Sequence, residues 1–412
     1  MRTFKYFITF LLSCCLTVVA EAKGNIRILA HDPLLPYLNS RPTNIVFLDP
    51  IEDSVAVKRF TFSSRGGANT IYGTMVSPKQ PGIYPALLML HGGGSSADGV
   101  IKLQRLFAAK GYVVMSIDLP GICDPDKAPL STGAWKNRSK LIDSRLDISK
   151  GLDSSTLVDA IAAALQGFNM LATEKNVNKE LMGISGISWG GYMTTMLSGL
   201  LGNRVKAAYS VFGCGFYDRG TRWKEQLEKM PKNMSKDWLT YFDAGRRASG
   251  IQCPYFIEAT VNDKFFWPQA VAATLDTIKT EKNLVWSPNL DHVRPAAAEQ
   301  MQLLYFNYYL KATGKPFGKV AIKETKPGEA NSKDVLISVN MPQGVSSDNV
   351  TLYYAEKSVV RSAKKWIPIP ASKIDDKNYR VNIPAEVLSL GVDYYVYVRD
   401  SRKVCVSTYI QL

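Results

Sequence analysis

Near the middle of the chain, Gly186-Ile187-Ser188-Trp189-Gly190 sets a serine between glycines in the spacing G-x-S-x-G. A serine in that position can act as a nucleophile if its hydroxyl is lifted clear of the backbone and a base stands within reach. Residues 180–185 before it are short and apolar, like a buried strand; residues 192–201 after it are rich in Met, Leu and Thr, like a helix. Gly186 and Gly190 keep Cβ atoms out of so tight a turn. The start of the helix favours the negative charge that develops on an attacked carbonyl. Read alone, the pattern also fits a glycine-rich turn with a capping serine, so the other parts of the chemistry decide.

A base comes first, and the chain has only three histidines. His31 lies far upstream, and His91 opens the run His91-Gly92-Gly93-Gly94, where its backbone has a different use. His292 remains, between the last strand (284–287) and the last helix (295–312) of the region in which strands and helices alternate. A loop at the C-terminal edge of a parallel sheet is where a base could reach Ser188. Asp263, just after the strand 255–260, is the expected orienting acid; Asp291 is weaker, because a sequence neighbour cannot easily face the adjacent imidazole. Glycine lets the backbone approach a substrate closely, so Gly93 and Trp189 are the expected N–H donors to an oxyanion. No C-x-x-C or H-E-x-x-H spacing occurs, and neither a metal nor another cofactor is expected.

These residues need a scaffold. Strands at 55–62 and 70–76 read as an antiparallel opening pair. Strands at 85–90, 112–117, 180–185, 205–212, 255–260 and 284–287 alternate with helices, among them a strongly amphipathic one over 154–174. That alternation predicts an α/β fold with a doubly wound, mostly parallel sheet. Residues 119–150 are an irregular charged excursion carrying Trp135. Residues 213–250 interrupt the alternation and should overhang the site as a cap. Its Trp223 and Trp238, with Phe266 and Trp267 beside Asp263, are expected to stack on sugar rings, the alternative being a hydrophobic core for the cap itself. After residue 314 the period falls to two and five short strands follow, which predicts an all-β, sandwich-like domain. The expected division is a signal peptide (1–22), lead-in strands (23–84), a catalytic domain (85–315) and the β domain (316–412), with a polar boundary at 315–333.

Composition narrows the setting. With 412 residues, 46% of them hydrophobic, the chain is long enough for a large domain and an accessory one. Arg2 and Lys5, the apolar run 7–19 and Ala20-Glu21-Ala22 read as an export signal, so a periplasmic or secreted location is expected. A lipid anchor at Cys14 is the second reading. No other stretch is apolar and long enough to span a membrane. Cys123, Cys214, Cys253 and Cys405, which outlast the signal, are too dispersed for a disulfide framework. The net charge of +14 is scattered along the chain, which together with export argues against a nucleic-acid partner.

On His91-Gly92-Gly93-Gly94, the elbow around Ser188, Asp263 and His292, residues 84–314 resemble the α/β-hydrolase superfamily. The resemblance implies an α/β-hydrolase fold, Ser188 as nucleophile, His292 as general base and then acid, Asp263 as its orienter, and an acyl-enzyme intermediate. Residues 91–99 (H-G-G-G-S-S-A-D-G) are similar to the acetyl xylan esterase and cephalosporin deacetylase group. Ser188-Trp189-Gly190-Gly191-Tyr192 looks more like the prolyl oligopeptidase catalytic domain. The expectation is therefore a serine esterase removing acetyl or similar short acyl groups from a small-molecule or polysaccharide ester. A prolyl oligopeptidase-like or acylaminoacyl-type peptidase, and a non-catalytic glycan-binding protein on the same scaffold, are the alternatives.

Overall fold

The computed structural model describes residues 31–411, apart from 50, 52, 138–142 and 297. The expected export signal and Cys14 lie outside the described residues.

Nine strands form the central sheet: β1 (Thr43–Phe47), β2 (Ala56–Ser64), β3 (Asn69–Ser77), β4 (Tyr84–Leu90), β5 (Val113–Ile117), β6 (Val177–Ile187), β7 (Ala207–Val211), β8 (Tyr255–Thr260) and β9 (Lys282–Ser287). Their order is β1-β2-β3-β5-β4-β6-β7-β8-β9. The lead-in strands run antiparallel as far as the β3–β5 pair, and every later pairing is parallel. From β4 the chain passes to β5 on one side and then to β6 on the other. The winding direction therefore reverses at β4, and a crevice opens at the C-terminal ends of β4 and β6. Gly93 and Ser188 follow those two ends.

Strands β5, β7 and β8 are buried along their whole length, as parallel strands covered on both faces must be. The covering helices are α1 (Ile101–Ala109), α2 (Thr156–Leu171), α3 (Trp189–Leu201), α4 (Pro268–Thr277) and α5 (Ala298–Lys311). Ser155 caps α2 by accepting the Leu157 N–H. Helix α2 departs from its expected amphipathic character, because all of its residues are buried. The lead-in lies across its outer side, where Asn169 donates to the carbonyls of Leu38 and Ser40 and Arg65 pairs with Asp159 at 2.6 Å.

The C-terminal region is all-β apart from short helical turns. Its strands are β10 (Lys319–Pro327), β11 (Lys333–Asn340), β12 (Ser347–Glu356), β13 (Ile367–Pro370), β14 (Ser372–Lys373), β15 (Asn378–Ile383), β16 (Val392–Asp400) and β17 (Cys405–Ser407). They form two four-stranded antiparallel sheets, β10-β11-β15-β14 and β13-β12-β16-β17. Val335, Ile337, Leu352, Val396 and Val398 are buried between them. The polar stretch expected as a boundary contains β10, whose Lys and Glu side chains suit an edge strand open to water. This region packs against β9: the Trp286 N–H donates to Ser407 Oγ at 3.1 Å and Asn283 Nδ2 to the Gly318 carbonyl at 2.8 Å. All four cysteines in the described residues are free thiols.

Candidate active site

Between β6 and α3 the backbone turns so sharply that Ser188 adopts φ 58° and ψ −117°, a strained conformation for a side chain with a Cβ. The turn is held by its neighbours. The Ser188 N–H donates to the Val211 carbonyl at 2.8 Å, and its own carbonyl accepts the Tyr192 N–H at 2.9 Å. A Cβ on Gly190 would collide with the Leu90 carbonyl, and one on Gly186 with the backbone of Gly190. The glycines of the elbow are therefore required by the close passage of β4, β6 and α3.

The loop after β4 brings Gly93 beside this turn; a Cβ there would stand 2.9 Å from Trp189 Cδ1. His91 supports the loop from below with its side chain, a role the sequence does not reveal. The Leu119 N–H can only donate, and it meets His91 Nε2 at 3.0 Å. Nε2 is thus the acceptor, and the proton on Nδ1 goes to the Gly92 carbonyl at 2.8 Å. Complete burial pushes the His91 pKa down to about 4, so the ring stays neutral and the clamp persists at neutral pH.

On the other side, Asp263 follows β8 and is almost fully buried. One carboxylate oxygen accepts the N–H groups of Phe265 and Phe266 at 2.7 and 3.0 Å. The other lies 2.8 Å from His292 Nδ1. An ionised carboxylate only accepts, so Nδ1 carries the ring proton and Nε2 keeps its lone pair. Nε2 is buried and has no hydrogen-bond partner among the described residues. Phe212 and Phe265 pack on the imidazole with centroids 4.5 and 4.8 Å away. Two residues on, Arg294 is tied to the buried Glu258 of β8 at 2.7 and 3.0 Å, which fixes the far end of the loop. Asp291 turns away and engages Lys264 instead.

Ser188, His292, Gly93 and Trp189 all line one cavity of about 470 Å³. Its remaining walls include Arg222, Trp223 and Gln226 from residues 213–250. Asp143 and Arg145 also line it, and nothing in the charged stretch 119–150 singles them out in sequence. Arg145 grips Asp143 through two bonds of 2.6 and 2.8 Å and lies 4.3 Å over the Trp189 ring. Trp223 Nε1 donates to the same carboxylate at 2.6 Å. Phe265 completes the wall beside His292.

The expected sugar-stacking aromatics need correction. Only Trp223 of the four lines the cavity. Trp238 is fully buried, with Nε1 donating to the Arg145 carbonyl at 2.8 Å. Phe266 is buried among Tyr217, Trp223 and His292. Trp267 faces the C-terminal region, where the Arg361 guanidinium covers it at 4.3 Å. For Trp238 and Phe266 the physical reason is size: a cap built from four short helices, Tyr217–Gly220, Lys224–Lys229, Lys232–Phe242 and Ala244–Arg247, draws these rings into its core, while Trp267 is taken up by the contact with Arg361.

Comparison with known proteins agrees with this architecture. Residues 85–262 match the alpha/beta hydrolase fold family. The acetyl esterase Axe7A of Xylanibacter ruminicola is 21% identical over 255 residues, 59% of this chain and 57% of that protein. The chain thus spans little more than half the length of that relative. Acetyl xylan esterase 1 from Thermoanaerobacterium sp. superposes with a TM-score of 0.56 at 18% identity, over 66% of this chain and 90% of that one. An acetyl xylan esterase from Paenibacillus sp. R4 gives 0.55 at 17% identity, over 72% and 99%. Sheet order, elbow and these likenesses together establish that the chain carries the α/β-hydrolase fold.

Proposed function

We propose that this protein is an exported serine esterase that removes acetyl or similar short acyl groups, with an acylated carbohydrate as its natural substrate class. The observation that carries the reading is the Asp263–His292 pair, whose uncommitted Nε2 belongs to a ring lining the same cavity as Ser188. In this reading Ser188 Oγ attacks the acyl carbon and its proton passes to His292 Nε2. The N–H groups of Gly93 and Trp189 hold the carbonyl oxygen while it is negative. Collapse expels the alcohol, which takes the proton from His292, and leaves an acyl group on Ser188. Water then repeats the sequence with His292 as base, releasing the carboxylic acid.

Ester over peptide is supported by charge. Asp143 is the one carboxylate among the described lining residues, and Arg145 and Trp223 already occupy it. A free acidic group to receive a peptide amine is thus missing from that lining. The likeness in fold to acetyl xylan esterases favours acetyl transfer to water from a sugar ester. Trp223 and Phe265 are the aromatic residues beside Trp189 and His292 in that lining. No helix among the described residues is long and apolar enough to cross a membrane.

The test compares purified protein and Ser188→Ala on acetylated xylan fragments, aryl acetates and aminoacyl anilides, together with labelling by an organophosphonate. Expected are acetate release and labelling that both vanish in the variant. Preferred cleavage of the anilides would replace the reading with a peptidase. An unlabelled Ser188 in protein that still retains glycan would replace it with a binding protein.

A further inference from the structure

The Asp263–His292 bond joins the tips of two different loops, one leaving β8 and one leaving β9. Those strands are hydrogen-bonded neighbours, but the ladder ends at Thr260 and Ser287. Beyond it the loops are linked, among the described residues, by the Val261 N–H to the Ser287 carbonyl at 3.3 Å, the Lys264–Asp291 contact and the Arg294–Glu258 pair, and a bond of 2.8 Å needs the spacing of the tips held closely. A single segment of the C-terminal region, residues 361–366 between β12 and β13, touches both loops. Asn262, the neighbour of Asp263, donates through Nδ2 to the carbonyls of Arg361 and Lys364 at 3.0 and 2.8 Å. Asn289, three residues before His292, exchanges two bonds with the backbone of Trp366. Its Nδ2 donates to the Trp366 carbonyl at 2.9 Å, and its Oδ1 accepts the Trp366 N–H at 2.8 Å.

The segment is itself anchored. Lys364 pairs with Asp393 on β16. Trp366 is buried edge-on against Tyr395, 5.1 Å between centroids. Arg361 covers Trp267 on the loop of the acid. Here four directional bonds converge on the residues flanking the two members of one catalytic pair.

We infer that residues 361–366 act as a brace that sets the distance between acid and base, with Asn262 and Asn289 as positioning residues. The inference rests on the esterase reading for its kinetic readout. It makes the C-terminal region part of the hydrolytic machinery without placing any of its atoms in the cavity. Misplacing a reacting group by an ångström can lower a rate on the order of 100-fold without altering how substrate binds.

Asn262→Ala and Asn289→Gly, singly and together in the full chain, test it. Glycine suits position 289 because the backbone there has φ 57°, so the tether is lost without new strain. Lys323→Ala, which removes only an exposed contact to Asn378 in the same region, is the control. On an aryl acetate the double variant should lose kcat on the order of 10- to 100-fold. Its KM should stay within about twofold. The second readout needs no turnover. With three histidines in the chain, the low-field proton resonance of the Nδ1–H between His292 and Asp263 can be assigned, and it should broaden or vanish in the double variant. A folded double variant with wild-type kcat and an unchanged resonance would overturn the brace. If the double variant does not fold, the single variants decide by the same two readouts, each expected to lose kcat several-fold. Absence of Ser188-dependent hydrolysis in the wild type would sink the esterase reading instead, and the resonance would still judge the brace.

Discussion

The two halves of the cavity are held by opposite means. On the Ser188 side, Ser188 directly follows β6 and Gly93 lies three residues past β4, where the sheet's winding reverses. Backbone packs on backbone there, as at Gly190 against Leu90, and the buried His91 ties the loop from within. On the other side, Asp263 and His292 stand on loops beyond the ladder, secured by side-chain bonds to distant parts of the chain. The first arrangement is rigid because no atom can be added. The second is exact in spacing only while its tethers last. Damage to the packing around Ser188, its own hydroxyl aside, should therefore register as lost stability, and damage to the tethers of Asp263 and His292 as lost turnover.

The largest expected effect is on the second half. Asp263→Asn keeps the shape but disturbs the tautomer of His292, so kcat should fall on the order of 10³- to 10⁴-fold while the melting temperature barely moves. A fall in stability with kcat retained would break the contrast. Next comes Gly190→Ala, which drives a methyl into the Leu90 carbonyl. It should cost about 3 kcal/mol or more of stability, read by denaturant unfolding.

Two buried groups on the Ser188 side give a pH signature. Burial raises the Asp118 carboxyl to about 6, although it accepts the Ala97 N–H and the Ser131 hydroxyl. The folded state thus holds that proton more tightly than the unfolded state, and its contribution to stability is lost as pH rises from about 4 to about 6. His91, lowered to about 4, acts in the reverse sense: stability is lost as pH falls from its unfolded value of 6.5. Asp118→Asn removes the first effect alone. Compared with wild type, the variant's unfolding free energy should rise more steeply with pH in that window, by about 1.4 kcal/mol per unit. Parallel curves would show that Asp118 is not titrating there.

Smaller effects sharpen the boundary between the halves. Arg145→Lys loses the forked grip on Asp143 and the stacking on Trp189, and kcat/KM should drop roughly 10-fold. Asp291→Asn, next to His292 in sequence but paired with the exposed Lys264, should change stability by less than about 1 kcal/mol and leave kcat alone. A large loss of kcat there would show that the Asp291–Lys264 contact also holds the two loops together.

How far the sequence was readable follows the same division. The elbow was legible because its causes are local: a strand, two glycines and a helix start within a dozen residues. The pairing of Asp263 with His292 was legible because so few histidines competed and each candidate followed an apolar strand. The His91 clamp was not, since its partner Leu119 belongs to another strand end. Asp143 and Arg145 lie in irregular chain, where no periodicity marks an inward-facing side chain. Trp238 and Phe266 misled because aromatic composition does not distinguish a ring lining a cavity from one filling a core. Strand β10 was missed because its charged residues read as a linker, and all-round burial of α2 because the lead-in covering it is remote in sequence. The contacts of residues 361–366 span about a hundred positions and left no local trace.

The docking of the C-terminal region on β9 also bears on solubility. A parallel sheet that stopped at β9 would offer a bare row of peptide groups, the kind of border along which separate molecules zip together. With Ser407 bonded to the Trp286 amide and β17 lying alongside, that border is shielded. A truncation after α5 would uncover it, so aggregation, before any question of activity, is what a shortened catalytic fragment would first encounter.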